Sequence, residues 1–178
     1  RDAGQPLVAD LPAVADYRFD LSASHYGLGE SLHLLNLRDE SQIEFELARA
    51  MLRKLASEYP SVPTYQRGLA RCTYAIGNLH RQMGNPDLAG QELAQAINGQ
   101  LRLVEQFPSV PDYASDLGDS YVAQGELARG TNDLAAASAA YLQAWERLLP
   151  LADNYPHERR YRFKLATTHL TMGEIQVQ

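Results

Sequence analysis

The sequence predicts an all-α fold, an α-solenoid of antiparallel helix pairs with about seven helices. Three observations carry this. A pattern of prolines, tyrosines, leucines and glycines returns every 48 residues. Within each copy the apolar residues fall at spacings of three and four, the period of an amphipathic helix, and no stretch alternates as a half-buried strand does. Glycine, asparagine and proline punctuate each copy near its middle and at its end.

The repeat is read directly from the residues. Pro12, Pro60, Pro108 and Pro156 each follow a large apolar residue: Leu11, Tyr59, Phe107 and Tyr155. Five residues after each proline stands a tyrosine (Tyr17, Tyr65, Tyr113, Tyr161), and four after that a leucine (Leu21, Leu69, Leu117, Leu165). Gly29, Gly77, Gly125 and Gly173 follow. After the first three glycines come a bulky residue (Phe45, Leu93, Tyr141) and, three further on, Ala48, Ala96 and Ala144. The register divides a single domain over 1–178 into units 12–59, 60–107 and 108–155, with a partial fourth at 156–178. Residues 1–11 align with the ends of the units, Leu7 falling where Leu55, Leu103 and Leu151 fall, and are expected to close a preceding helix. Both ends are expected to be cuts from a longer array. Arg1 opens the chain and no signal-peptide pattern follows it.

Each unit reads as two helices. In the second unit Ser61 is the expected cap and Pro63 the first turn, where a missing N–H costs nothing. Leu69, Ala70, Thr73, Ile76, Gly77 and His80 then form one stripe. Gly84 is expected to end the helix in a left-handed conformation, with Asn85 capping and Pro86 opening the next. The second helix has Leu88, Leu93, Ala96, Ile97, Leu101 and Val104 as apolar positions, with a weak point at Asn98-Gly99. The third unit breaks at Gly130-Thr131-Asn132-Asp133. Small residues at fixed positions have a packing reason. Gly29, Gly77 and Gly125 are expected to lie where the first helix meets the second, facing the alanines or their neighbours, with the bulky residues filling the gap one turn away.

Composition narrows the function. Sixteen basic against 22 acidic residues leave a net charge of −6, which disfavours a generic nucleic-acid surface. The lone Cys72 excludes an internal disulfide or a cysteine-based zinc knuckle. No run of about 18 apolar residues is present, so no membrane insertion is expected. Phosphate-loop, nucleophile-elbow and zincin motifs are lacking. Cys72 is expected to be an inert, partly buried thiol. The five histidines (His25, His33, His80, His157, His169) do not make a ligand set, so no metal or other cofactor is expected. Asp39-Glu40 and the Glu44, Glu46 pair are expected on a solvated helix face.

The spacing resembles the tetratricopeptide repeat. The residues that carry this are His25-x2-Leu28-Gly29-x2-Leu32 with Ser41-x3-Phe45 and Ala48, then Thr73-x2-Ile76-Gly77-x2-His80 with Ala89-x3-Leu93 and Ala96. Tyr121-x2-Gln124-Gly125-x2-Ala128 with Ala137-x3-Tyr141 and Ala144, and His169-x2-Met172-Gly173, complete the set. The Gly-to-Ala spacing matches the family, whereas the period is 48 instead of 34, which implies lengthened helices. HEAT-type repeats share the length but not this pattern. The phrases YPSVPTY and FPSVPDY resemble the long-period repeat regions of large bacterial serine/threonine kinases of planctomycete type.

The resemblance implies a right-handed superhelix whose first helices line a concave face. Transferred by position, that face holds Ala23, Tyr26, Glu30 and His33, then Arg71, Tyr74, Asn78 and Arg81, then Asp119, Val122, Glu126 and Arg129. Phe19, Arg67 and Ser115 extend it. The family's chaperone-tail clamp is not implied, since only Asn78 matches its ligands. The expected function is therefore non-catalytic: a protein–protein interaction or scaffold module, part of a larger chain or complex, taking a protein or peptide partner on this face. The alternatives are a structural segment of a large assembly and the regulatory region of a bacterial kinase.

Overall fold

A computed structural model describes residues 11–176 and is all-α. Among the described residues there are seven helices and no strand: α1 (Leu11–Leu34), α2 (Arg38–Glu58), α3 (Pro63–Gln82), α4 (Pro86–Gln106), α5 (Pro111–Gly130), α6 (Leu134–Asn154) and α7 (Arg159–Gln176). The helix end expected over residues 1–11 lies outside the described residues except for Leu11, which opens α1. The chain forms two compact units, one ending at Cys72 and one beginning at Thr73, so the boundary falls inside α3.

In the first unit α1 and α2 run antiparallel. Arg18, near the start of α1, pairs with Glu58 at the end of α2 at 3.0 Å, and Ser41 at the start of α2 donates to the Gly29 carbonyl near the end of α1 at 2.8 Å. In the second unit each helix from α4 onward packs on the next in sequence, and α5 also touches α7. This consecutive packing is the solenoid pattern the repeat predicts.

The recurring residues have recurring jobs. Between repeats, the backbone N–H of Tyr59, Phe107 and Tyr155 bonds to Leu55, Leu103 and Leu151 at 2.8, 2.9 and 3.0 Å. The same aromatic then packs edge-on against the tyrosine that follows: Tyr59 on Tyr65, Phe107 on Tyr113 and Tyr155 on Tyr161, with centroids 6.0, 6.1 and 5.8 Å apart. The aromatic-proline-tyrosine phrase is thus one folded corner. Within units, Asn36, Gly84 and Asn132 occupy one register position, all with φ near +60° to +80°. There the residue after each donates to a carbonyl five back, as Asn85 does to His80 at 2.9 Å.

The glycine seam is tighter than the sequence reading allowed. A methyl group at Gly29 would meet the Phe45 ring at 2.7 Å, and one at Gly125 the Tyr141 ring at 2.8 Å. At Gly77 it would meet the Leu93 backbone nitrogen at 3.1 Å. Each glycine therefore faces the bulky residue itself, while Ala48, Ala96 and Ala144 are fully buried beside it. Gly68 against Leu52 and Gly118 against Leu148 make two further close approaches.

Three local expectations are corrected. Ser61 does not cap α3, because α3 begins at Pro63 and the corner is closed by backbone bonds from Val62 to Tyr59 and from Tyr65 to Val62. Asn85 holds the position before α4 but its side chain makes no cap bond, unlike Asp133, which accepts from Ala136 N at 3.0 Å. Leu88 is exposed, as are its register mates Glu40 and Ala136, so the first turn of each second helix turns this position outward. α4 runs unbroken through Asn98-Gly99.

Candidate functional site

Five of the residues placed on the partner-binding face line one cavity in the first unit. It measures about 310 Å³ and lies between α1, α2 and α3. From α1, Phe19, Ala23, Tyr26 and Glu30 face it at intervals of three and four, together with Ser22 and Gly27. Leu52 of α2 and Gly68, Arg71 and Cys72 of α3 complete the wall.

The floor is apolar. Leu52 and Cys72 are 3% and 0% exposed and belong to one packed cluster with Ala48. The side walls are aromatic: Phe19 tilts against Tyr65 at 5.3 Å, and Tyr26 against Phe45 at 5.4 Å. The mouth is charged. The Arg71 guanidinium carbon sits 4.7 Å from the centre of the Tyr26 ring, in cation–π range, and Glu30 is exposed beside it. Burial, with a smaller contribution from Glu30, pushes the Tyr26 hydroxyl well above its ordinary range against the pull of Arg71. Burial also pushes the Cys72 thiol up to about 12, so it carries almost no thiolate near neutrality. Cys72, by its sequence context a partly buried thiol, is wholly buried and forms part of the cavity floor.

In the second unit the expected face is largely spoken for by ion pairs between successive first helices. Arg81 donates from Nε and Nη2 to Asn78 Oδ1 at 3.1 and 2.7 Å, and its Nη2 pairs with Glu126 at 2.7 Å. Arg129 pairs with Glu174 at 3.3 Å. Lys164 of α7, which the sequence reading did not single out, donates to Ser115 Oγ at 2.8 Å and Asp119 Oδ2 at 2.5 Å. Ser115 is 3% exposed, so it is an anchor for Lys164 instead of an extension of the open face. Tyr74 is half-buried, and burial raises its hydroxyl pKa, with the Asp119 and Glu126 carboxylates adding to the effect. Val122, Arg67 and His33 are half-buried.

Glu44 and Glu46 are not a solvated pair. Both are half-buried: Glu44 bonds to His25 Nδ1 at 2.6 Å, and Glu46 pairs with Arg49 at 2.5 Å. Among the described residues no three His, Cys, Asp or Glu side chains gather as a metal-binding group, and no helix is long and apolar enough to cross a membrane. The chain matches no family model and no curated protein.

Ser22, Gly27, Leu52 and Gly68 are the cavity residues that residue-type reasoning did not reach. The signal for the two glycines lies in register. Gly68 aligns with Asp116 and Lys164, and Gly27 with Ala75 and Ala123, so a side chain is missing from the first compact unit at two points where the later repeats carry one.

Proposed function

We propose that the chain is a non-catalytic interaction module of tetratricopeptide-repeat type that holds a polypeptide partner through its first helices. The observation that carries this reading is the cavity of the first unit. It gathers Phe19, Ala23, Tyr26, Glu30 and Arg71, five residues that the family resemblance places on the binding face, around an apolar floor. Aromatic walls beneath an arginine and a carboxylate are the composition of an anchoring pocket in a protein interface. In the second unit Arg81, Glu126, Arg129 and Asp119 pair with groups on neighbouring first helices, which supports a part for them in holding those helices.

The test is selection of peptides from a displayed library against the whole chain, followed by affinity measurement. Tyr26→Ala with Arg71→Ala is expected to weaken a selected peptide at least tenfold, and Arg129→Ala to leave it within about twofold. Failure to select any peptide, or equal binding by the Tyr26/Arg71 variant, overturns the reading.

A second reading, a segment holding a larger assembly, is favoured by α7. Phe163 and Leu170 are 71% and 68% exposed there, and a methyl group at Gly173 would meet nothing within 4 Å, unlike those at Gly29, Gly77 and Gly125. It predicts that a partner protects α7 amides from hydrogen exchange.

A further inference from the structure

The gap between successive first helices recurs in the register, and the versions at its two ends are filled differently. In the second unit it lies between α5 and α7, where Lys164 reaches across to Ser115 and Asp119. The corresponding positions in the first unit are Gly68 for Lys164, Phe19 for Ser115 and Ala23 for Asp119, each 96 residues earlier. One version has a long cationic side chain and two oxygen acceptors. The other has no side chain at all facing a ring and a methyl group. The result is the cavity over Leu52 and Cys72.

We infer that this cavity is a socket for one large uncharged apolar side chain supplied by a partner polypeptide, taking the place that Lys164 takes between α5 and α7. Three points identify the occupant. The precedent in the second unit is a side chain entering from outside the helix that carries the acceptors, so a side chain is what this gap accommodates. The exchange of Ser115 and Asp119 for Phe19 and Ala23 removes both acceptors at those positions and leaves Glu30 at the mouth as the one carboxylate in the wall, so the apolar interior disfavours a cation. A volume of about 310 Å³ lies at the lower end of small-molecule sites and holds one aromatic or long aliphatic group. Arg71 and Glu30, of opposite charge at the mouth, suit the polar backbone on either side of such an anchor. This inference rests on the proposed partner-binding function and names which part of a partner enters.

The experiment has two arms, both on the whole chain. In the first, indole is titrated against protein with labelled leucine methyl groups. Saturable shifts are expected at Leu52, and their loss in Ala23→Trp, which plugs the mouth from an exposed position, and in Gly68→Leu. Because a side chain at Gly68 crowds Leu52, with 2.8 Å between the built methyl and Leu52 Cδ2, the Ala23 variant decides if the Gly68 variant misfolds. Absent shifts, or shifts unchanged in Ala23→Trp, overturn the socket. In the second, library-selected peptides are expected to carry one large apolar residue whose replacement by Ala weakens binding at least tenfold, and to be displaced by indole. Peptides that bind wild type and Ala23→Trp equally overturn the socket while leaving the partner-binding function standing. Indole binding with no peptide selected overturns both the peptide reading and the occupant named here, in favour of a free small molecule.

Discussion

Arg81 on α3 and Glu126 on α5 meet at 2.7 Å, and the residues 48 further along, Arg129 on α5 and Glu174 on α7, meet at 3.3 Å. The same arginine-to-glutamate step is therefore made twice, each time from one first helix to the next. Both side chains of the Arg81 pair are partly exposed, so its contribution belongs to the surface range, about 0.2–1 kcal/mol. A double-mutant cycle of Arg81→Ala and Glu126→Ala is expected to give a coupling energy in that range that shrinks as salt is raised. Coupling that is indistinguishable from zero in low salt would remove the pair from the account of how α3 and α5 are held.

The glycines are expected to separate sharply. Gly125→Leu drives a side chain into the buried Tyr141 ring, and Gly77→Leu into the Leu93 backbone, which cannot yield. Each is expected to lower stability by about 1–3 kcal/mol or more in urea unfolding. Gly173→Ala enters open space, and the gain in helix propensity is expected to leave stability unchanged or raise it by up to about 1 kcal/mol. Equal effects at Gly77, Gly125 and Gly173 would refute the seam.

Gln100 breaks the register of its own core. Leu52 and Leu148 hold the same position in the neighbouring units, whereas Gln100 is 2% exposed with Oε1 shut away from any hydrogen-bond donor. A buried acceptor without a partner costs about 1–3 kcal/mol. Gln100→Leu is accordingly expected to raise the urea midpoint, and a lowered midpoint would show that the amide has an essential contact.

Alkaline pH is expected to weaken the fold through Cys72. Its thiol is held up to about 12 by burial, from an ordinary value of 9.0. Above pH 9 the unfolded chain releases this proton while the folded chain keeps it, so the unfolded state binds fewer protons and stability falls as pH rises from 9 towards 12. Below pH 9 the contribution is fully present. Tyr26 and Tyr74, also raised by burial, act in the same sense from about pH 10 upward. Urea unfolding between pH 8 and 11 tests this: Cys72→Ala is expected to flatten the first part of the decline, and a wild-type midpoint constant across the range would contradict it.

The helices were legible because their punctuation is chemical. Gly84 has the positive φ its position demanded, and the tyrosines after Pro60, Pro108 and Pro156 pack where a corner needs a flat, large side chain. The seam was legible in kind but not in partner, since spacing cannot tell whether Gly125 faces Ala144 or Tyr141. The face was legible only as a list of positions. Nothing about Asp119 or Arg129 in isolation announces that Lys164 and Glu174, 45 residues on, claim them. That follows from how far one first helix is shifted along the next, a quantity set by packing. Nor does Gly68 declare a cavity by itself; only its alignment with Lys164 does.

The paired charges also bear on how such a molecule changes length over generations. An in-frame tandem duplication of residues 108–155 adds a repeat whose arginine finds the glutamate of the copy ahead and whose glutamate finds the arginine of the copy behind. Every glycine also keeps its bulky neighbour. Inserting one or two codons within a first helix instead rotates half its charges away from their complements. The gene can therefore lengthen this protein by that whole step with the glycine seams and the arginine–glutamate step kept, and in fractions of a step scarcely at all.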